Sequence, residues 1–307
     1  IGSLRGLANV RPGRNLQLNP TVTGAHQGQR EAGTLNYDDE SRVGLGVKYG
    51  LTTNLTADLA ITPDFSQVES DAGVVDVNRR FAIFFPERRP FFLEGRDIFD
   101  TELDLVYTRR IADPLYGLKL TGKQGRSGVG VIHAMDQSAG ESMETLPDAS
   151  NPYLGHDARF DILRLKQDVL KNSFLGVMLA DRQHEDAYNR VAYADGRFNI
   201  RDRWTVQFEA ATSDSRDADL RDAIAGLTPA EDAALDGSLR ELRGQRRKGG
   251  TGVLLANRST RRLGVTAGVG TMSRDFRADM GSLERTGFQI YVLETNEHYW
   301  AKGKSWW

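Results

Sequence analysis

The chain has 307 residues, with 40 Lys and Arg against 42 Asp and Glu, and it contains no cysteine. The formal net charge of -2 excludes a basic nucleic-acid-binding platform at the level of the whole chain. The lack of cysteine excludes disulfides and thiolate metal sites, and no apolar run approaches the ~18 residues of a membrane-spanning helix. The chain begins at Ile1 without a recognisable signal sequence, so we expect a processed chain or a piece of a longer protein.

Apolar residues alternate with polar residues or glycine along most of the chain. In residues 42–49, Val43, Leu45, Val47 and Tyr49 form one face of a predicted strand, because successive side chains of a strand point to opposite faces. The same period of two recurs in residues 54–61, 204–212 and 263–271. Each of these strands therefore has one apolar face and one face that is polar or made of very small residues.

This period predicts about twelve strands. In chain order they occupy residues 15–28, 42–49, 54–61, 115–122, 127–136, 157–168, 172–182, 188–200, 204–212, 248–257, 263–271 and 287–300. They are roughly 8 to 14 residues long, whereas strands of globular proteins have about 5 to 6 residues and membrane-spanning strands about 9 to 11. Their length favours a barrel in a bilayer over a soluble sandwich or propeller, which stays an alternative.

Short and long connections alternate between the predicted strands. Short turns are expected at residues 50–53, 123–127, 168–172, 201–203 and 257–262. Long excursions are expected at residues 29–41, 63–114, 137–156, 214–247 and 272–286, with a shorter one at 183–187. Outer-membrane barrels have short turns at one end and long loops at the other. The sequence therefore predicts an all-β, antiparallel, up-and-down transmembrane β-barrel domain over residues 1–307, complete or incomplete, in which residues 103–110 are not a spanning strand.

One long excursion carries helix signals. Thr228 fits an N-cap, Pro229 the first helical position and Glu231 the third, and Leu235 begins an apolar stripe. A short helix is predicted over about residues 229–243, within the 214–247 loop. Its basic end is expected either to lie in solvent or to contact anionic headgroups or lipopolysaccharide. That end consists of Arg240, Arg243, Arg246, Arg247 and Lys248.

Residues 63–99 break the alternation. Two phenylalanine pairs flank the charged sequence between Pro86 and Pro90, and the two prolines prevent a regular helix or central strand there. Phenylalanine rings need burial, and a wet barrel interior offers partners to the charged residues. We therefore expect residues 63–114 to form a long, partly irregular luminal insertion that narrows the interior.

Residues 63–69 read PDFSQVE and residues 84–95 read FFPERRPFFLEG, followed by Ile98 and Phe99. These elements resemble the hallmark of a large, poorly characterised family of outer-membrane β-barrels, whose members usually carry an amino-terminal domain like the family 9 carbohydrate-binding modules. Other stretches resemble the same family, with Ser282 where some members have Phe. They are residues 47–52, 54–56, 107–111, 117–123, 275–281 and 284–286.

The resemblance implies a location in the bacterial outer membrane, with membrane lipid and lipopolysaccharide as partners and an oligosaccharide or an anionic solute as a ligand. The carbohydrate-binding-like domain would precede Ile1 and further strands would follow Trp307, so the chain is expected to be a middle fragment. The resemblance implies no catalytic residues. We expect no cofactor and no nucleic-acid partner, and the oligomeric state stays open.

The charged residues in and after the phenylalanine-rich stretch are the predicted members of a luminal constriction. They are Arg79, Arg80, Glu87, Arg88, Arg89, Glu94, Arg96, Arg109 and Arg110. The prediction rests on their density beside phenylalanines in irregular chain. Arginines in a pore favour anionic solutes, unless nearby acids pair with them.

Other motifs fit known sites poorly. Residues 117–123 have the spacing of a phosphate-binding loop, but Gln124 stands where Ser or Thr is required and the lysine ends a strand. The histidines lack metal-ligand spacing, and His133 alternates with apolar residues as a wall residue does. An acidic run offers a partial set of calcium ligands without the spacing of an EF-hand, so we expect no metal. The run comprises Asp64, Glu69, Asp71 and Asp76.

Two functions of different classes follow. The first is a pore, transport or surface structural role, with a constriction formed by residues 63–110. The second is a membrane-anchored carbohydrate-binding or glycan-hydrolysing protein, whose binding domain lies upstream. Glycosidases need two carboxylates about 5 to 10 Å apart, and the sequence does not show which acids converge.

Overall fold

In a computed structural model, the chain forms one antiparallel β-sheet of twelve strands. The structure describes residues 15–31, 34–63, 85–139, 146–201, 203–283 and 285–299. The strands are β1 (Leu16–Glu31), β2 (Thr34–Thr52), β3 (Leu55–Ile61), β4 (Pro114–Gln124), β5 (Ser127–Asp136), β6 (Ala158–Leu170), β7 (Ser173–His184), β8 (Ala187–Ile200), β9 (Trp204–Arg216), β10 (Arg246–Ser259), β11 (Leu263–Met272) and β12 (Phe288–Glu297). Every predicted strand has its counterpart, and the predicted all-β, antiparallel, up-and-down fold is confirmed.

The order of the strands in the sheet follows the order of the chain from β1 to β12. Within the described ranges β1 and β12 do not pair with each other, so the sheet is open there. Tight connections join β2 to β3, β4 to β5, β6 to β7, β8 to β9 and β10 to β11 at one end, which we call the short-turn end. At the opposite end, which we call the long-loop end, long connections leave β3, β5, β9 and β11.

The predicted loop at residues 29–41 is wrong. β1 continues to Glu31 and β2 begins at Thr34, so the two strands form one long hairpin. β3 pairs with β2 only from Leu45 onward, which leaves the outer part of the hairpin without a neighbour on that side. The apolar period of the sequence ends before this backbone pairing does, which is why a loop was expected there.

Within the described ranges, three short α-helices lie outside the sheet: α1 (Pro90–Leu93), α2 (Arg221–Ala225) and α3 (Pro229–Ala234). The helix predicted over 229–243 begins as expected with a Thr228 capping box, but it ends at Ala234. The Asp236 carboxylate accepts a hydrogen bond from the Ser238 N–H at 2.7 Å, and such a local bond favours a turn over a further helical turn. No helix in the described part of the chain has the length and apolar character to cross a membrane.

The two faces of the sheet differ in burial. The face that we call inner carries buried side chains that pack on residues 85–113, the inner segment. From the sheet these are Ile132, Phe160, Ile162, Met178 and Val191, and from the inner segment Phe92, Phe99, Leu105 and Ile111. On the opposite, outer face Leu165, Val177 and Leu179 are 45%, 52% and 56% exposed. The hydrophobic core therefore lies between the sheet and the inner segment, and the apolar face read from the sequence is the outer one.

Candidate functional site

The inner segment is held together by a buried ion pair between Glu87 and Arg89. Arg89 donates to the Glu87 carboxylate from Nε at 2.8 Å and from Nη2 at 2.7 Å, and the Thr108 hydroxyl donates to the same carboxylate at 2.6 Å. Arg89 also donates to the carbonyl oxygens of Ile111 at 2.5 Å and Thr108 at 2.9 Å. These bonds tie the start of the inner segment to its end.

The same contacts set the charge state of Glu87. Burial alone would raise the pKa of its carboxyl group, but the hydrogen bonds from Arg89 and Thr108, together with the charge of Arg89, lower it to about 2. Glu87 is therefore ionised over the whole physiological range. Its partner Arg89 also stacks on a ring of the segment, with Cζ 4.3 Å from the centroid of Phe92.

The other predicted constriction residues spread over the inner segment. Arg96 is exposed, with Nε 3.4 Å from Asp100. Arg109 donates to the Pro86 carbonyl oxygen at 3.3 Å, and Arg110 donates to that of Gly281 at 3.3 Å. Glu94 pairs with Lys48 of β2, and Arg88 is half-buried. Arg79 and Arg80 lie outside the described residues, as do the predicted calcium ligands Asp64, Glu69, Asp71 and Asp76. Whether these charges line a constriction stays a prediction.

Lys119 of β4 attaches the inner segment to the wall, and sequence reasoning missed it. Its ammonium lies 3.5 Å from the Asp58 carboxylate of β3 and donates to the carbonyl oxygens of Phe91 and Glu94. Lys119 is 3% exposed. The signal was present in the sequence, because both charged residues fall on the polar face of predicted neighbouring strands.

A second attachment comes from Arg164 of β6, whose side chain is fully buried. It forms a two-bond ion pair with Asp195 of β8, at 2.8 and 2.7 Å, and its Nε donates to the Ile98 carbonyl oxygen at 3.2 Å. The Glu209 carboxylate of β9 accepts the backbone N–H of Glu102 at 3.1 Å. The wall therefore holds the inner segment at charged points on three separate parts of the sheet.

Small residues in the wall let the inner segment approach closely. A Cβ atom at Gly130 would lie 2.7 Å from the ring of Phe99 and 2.8 Å from Ile98. A Cβ atom at Gly117 would lie 3.0 Å from the ring of Phe91. The glycines on the inner face of β4 and β5 thus form the seat for Phe91 and Phe99.

A chamber of about 820 Å³ lies between the inner segment and the wall at the short-turn end. Lys48, Lys123 and Lys166 line it together with Asp97 and Asp168. The Lys166 ammonium lies over the ring of Phe174, 4.0 Å from its centroid. Both charge signs therefore face this chamber.

A second chamber, of about 610 Å³, lies at the long-loop end. Arg110, Arg182 and Arg277 line it, together with Asp136 and Asp279. Burial raises the pKa of Asp279, and the nearby Arg182 and Arg277 oppose that rise. The Asp136 carboxylate already accepts the backbone N–H groups of Ala112 at 2.8 Å and Asp113 at 3.0 Å. The lining therefore carries three arginines against two carboxylates, and one of the arginines, Arg277, also pairs with Asp217 at 2.6 Å.

The family model of a domain of unknown function, DUF5916, matches residues 12–138, a range that contains both hallmark elements of the sequence. No curated protein matches the chain. Among solved structures, OmpTdeltaL8, a loop L8 deletion mutant of OmpT, an outer membrane protein of Vibrio cholerae, is similar over 84% of this chain and 93% of that chain, with 8% sequence identity and a TM-score of 0.31. The association with a carbohydrate-binding domain and the glycan-related function stay predictions.

Proposed function

We propose that the chain forms the wall of an outer-membrane β-barrel, with its outer face in lipid and the inner segment as a constriction of the interior. The observation that carries this proposal is the exposure of large apolar side chains at alternate positions of the outer face. Val43 is 71% exposed, Val177 52% and Leu179 56%. Burying such side chains in lipid contributes about 25 cal/mol per Å² of apolar surface. Contiguous exposed apolar surface of this kind marks an interaction with a membrane or a partner.

The apolar stretch on the outer face of β9 also has a suitable height. Its outer-face residues run from Trp204 to Thr212, eight residue steps that rise about 27 Å along the strand at about 3.4 Å each. A strand tilt of about 40° reduces this to about 21 Å, close to the ~25 Å apolar band of outer-membrane barrels. Trp204 at the lower border fits the aromatic girdle that such bands carry.

The two chambers suggest a route for solutes. One opens at the short-turn end and the other at the long-loop end, and the core of the inner segment separates them. Passage between them requires the inner segment to move, because its phenylalanines pack on the inner face of the wall between the two chambers. Arginines at the long-loop chamber favour small anionic solutes.

The membrane location is tested by expression in a Gram-negative host, followed by fractionation and gel mobility. We expect the protein in the outer-membrane fraction, soluble only with detergent, and with a mobility that shifts on heating because the sheet resists unfolding. Recovery of monomeric protein from the soluble fraction without detergent would contradict the proposal.

The constriction is tested by conductance in planar bilayers. Deleting residues 76–97 is expected to raise the conductance several-fold, because it removes the phenylalanines and their ion pair from the interior. Replacing α3 by a flexible linker of equal length is the matched control, since α3 has no buried residue. Equal conductance of the deletion variant and the unaltered protein would exclude the inner segment as a constriction.

A further inference from the structure

The chamber of about 610 Å³ at the long-loop end contains charged groups that have no partner within the described ranges. There the guanidinium of Arg182 on β7 makes no hydrogen bond and no ion pair, and its Cζ lies 5.7 Å from the centroid of the Phe160 ring. The carboxylate of Asp279, between β11 and β12, has no such partner among the described residues either. The polar atoms of both side chains are open to solvent, and both residues line the chamber.

The other charged residues of the lining are engaged to different degrees. The Asp136 carboxylate accepts four hydrogen bonds from the protein. Arg277 donates to Asp217 at 2.6 Å. Arg110 uses Nε for a carbonyl oxygen of the neighbouring loop at 3.3 Å, and its terminal nitrogens have no partner in the described part of the chain. One carboxylate and two guanidinium groups therefore remain for a ligand.

These three groups lie near one another without forming ion pairs. The charges of Arg182 and Arg110 both act on Asp279, but no nitrogen of either arginine lies within 4.0 Å of its carboxylate oxygens. Burial raises the pKa of Asp279 although the arginines oppose the rise, so its ionised form is not fully compensated. A small ligand with charges of both signs would supply the missing partners on each side.

The chamber also has an apolar part. Its apolar lining residues are Ala112, Ala139, Leu242, Phe276, Ala278 and Leu283. A simple anion would meet the Asp279 carboxylate, and a simple cation would meet the two arginines, so each would leave one sign of charge opposed. The lining therefore fits a zwitterion that carries an apolar group.

We propose that this chamber binds a free α-amino acid with an apolar side chain. The ligand carboxylate would accept hydrogen bonds from Arg110 and Arg182, because a guanidinium matches a carboxylate with two parallel bonds. The ligand ammonium would donate to Asp279, and the ligand side chain would lie against Phe276 and Leu283. The inference rests on the proposed function, in which this chamber is part of the route for solutes, and it narrows the solutes to carboxylates that also carry an ammonium.

The test is isothermal titration calorimetry on the full chain in detergent, with three probes of similar shape. Leucine carries both charged groups, isocaproate lacks the ammonium and isoamylamine lacks the carboxylate. We expect leucine to bind about tenfold or more tightly than either analogue, because each analogue loses one charge-assisted contact. Equal affinities of leucine and isocaproate would indicate a simple anion site and would overturn the inference.

Two variants separate the ends of the ligand. Asp279→Asn should remove the preference for leucine over isocaproate, and this ratio does not depend on how much of the variant is folded. Arg182→Gln should weaken the binding of both carboxylates by about tenfold. Arg190→Gln is the matched control, because Arg190 lies on the neighbouring strand β8 with its side chain on the outer face, 58% exposed.

The control should bind leucine as the unaltered protein does. A lack of leucine binding by the unaltered protein, or equal losses in Arg182→Gln and the control, overturns the inference while the membrane location stands. Leucine binding with the expected preference, by a protein that is absent from the outer-membrane fraction, would support the site and refute the proposed function.

Discussion

Asp58 on β3 and Lys119 on β4 are directly opposite each other in the sheet, and the lysine ammonium lies 3.5 Å from the carboxylate. The same ammonium donates to two carbonyl oxygens of the inner segment, those of Phe91 and Glu94. The exposed fraction of the side chain is 1% for Lys119 and 10% for Asp58. A single buried cation thus joins two wall strands to the segment that covers them.

Lys119→Met is expected to destabilise the folded protein by about 3 to 5 kcal/mol, the usual consequence of leaving one partner of a buried ion pair alone. The Asp58 carboxylate would stay buried without its cation, and two carbonyl oxygens of the inner segment would lose their donor. Urea unfolding in detergent, followed by tryptophan fluorescence, measures the change in free energy of unfolding. The double variant Asp58→Asn/Lys119→Met should recover part of the loss, and equal losses in the single and double variants would contradict the pairing.

Gly130→Ala tests the seat of the inner segment. The new Cβ atom would meet the ring of Phe99 at 2.7 Å, so the ring must move or the variant pays an overpacking cost of about 1 to 3 kcal/mol. We expect easier proteolysis within residues 85–113 and a larger conductance. Gly252→Ala on β10 is the matched control, because the nearest atom to its Cβ is a backbone oxygen at 3.7 Å. Similar proteolysis of both variants would rule out a tight seat at Gly130.

The strands could be predicted from the sequence because the outer face keeps one clear period. Val206 and Phe208 on β9, for example, both face outward, and their alternation shows in the sequence alone. The long β1–β2 hairpin could not be predicted, since residues 29–41 carry no apolar period although their backbones pair. The prediction of a helix beyond Ala234 was wrong for a local reason, because a turn at Asp236 competes with the helix.

The contacts of the candidate site were harder to predict than the strands. Of the four paired phenylalanines that were expected to be buried, Phe92 is 2% exposed, Phe85 and Phe91 are half-buried, and Phe84 lies outside the described residues. The partners that hold the segment come from residues distant in the chain, as in the pair of Arg164 with Asp195. Such a pair depends on the register of three strands, and composition and periodicity do not determine that register.

Glu87 makes the attachment of the inner segment dependent on pH. Its pKa in the folded state is about 2, against an ordinary value of 4.5, so its contribution is complete above pH 4.5 and is lost as the pH falls toward 2. The shift corresponds to about 3 kcal/mol, with the carboxylate almost fully buried. As the pH falls from 6 to 2, protonation of Glu87 should lower the measured free energy of unfolding by roughly that amount.

The Glu87→Gln variant separates this contribution from those of the other acids. It should be less stable than the unaltered protein at pH 6, and the difference should shrink as the pH falls toward 2. Glu94→Gln is the control, because the Glu94 side chain is 52% exposed where it pairs with Lys48. A constant difference between the Glu87→Gln variant and the unaltered protein across this range would contradict the lowered pKa.

Tyr153 joins two long loops at the other end of the wall. Its hydroxyl donates to Asp186 at 2.6 Å and accepts the Asp219 N–H at 3.0 Å, while its ring is buried. Burial, followed by the bond to Asp186, raises the pKa of Tyr153 to about 12 from an ordinary value of 10.0. The neutral hydroxyl is thus the bound form, so its contribution is complete below pH 10 and is lost as the pH rises toward 12.

Tyr153→Phe is therefore expected to destabilise the long loops by about 1 to 2 kcal/mol at pH 7, because it removes one donor and leaves the Asp219 N–H without its acceptor. Hydrogen exchange should speed up in residues 146–157 and 217–245, while β5 to β9 keep their protection, since the wall does not depend on this hydroxyl. Tyr188→Phe carries the same substitution on β8, where the hydroxyl donates to Asp214 at 3.2 Å, and serves as the control. Two results would contradict a local role for Tyr153 in joining the two loops. One is faster exchange throughout the wall in the Tyr153 variant, and the other is unchanged exchange in the loops.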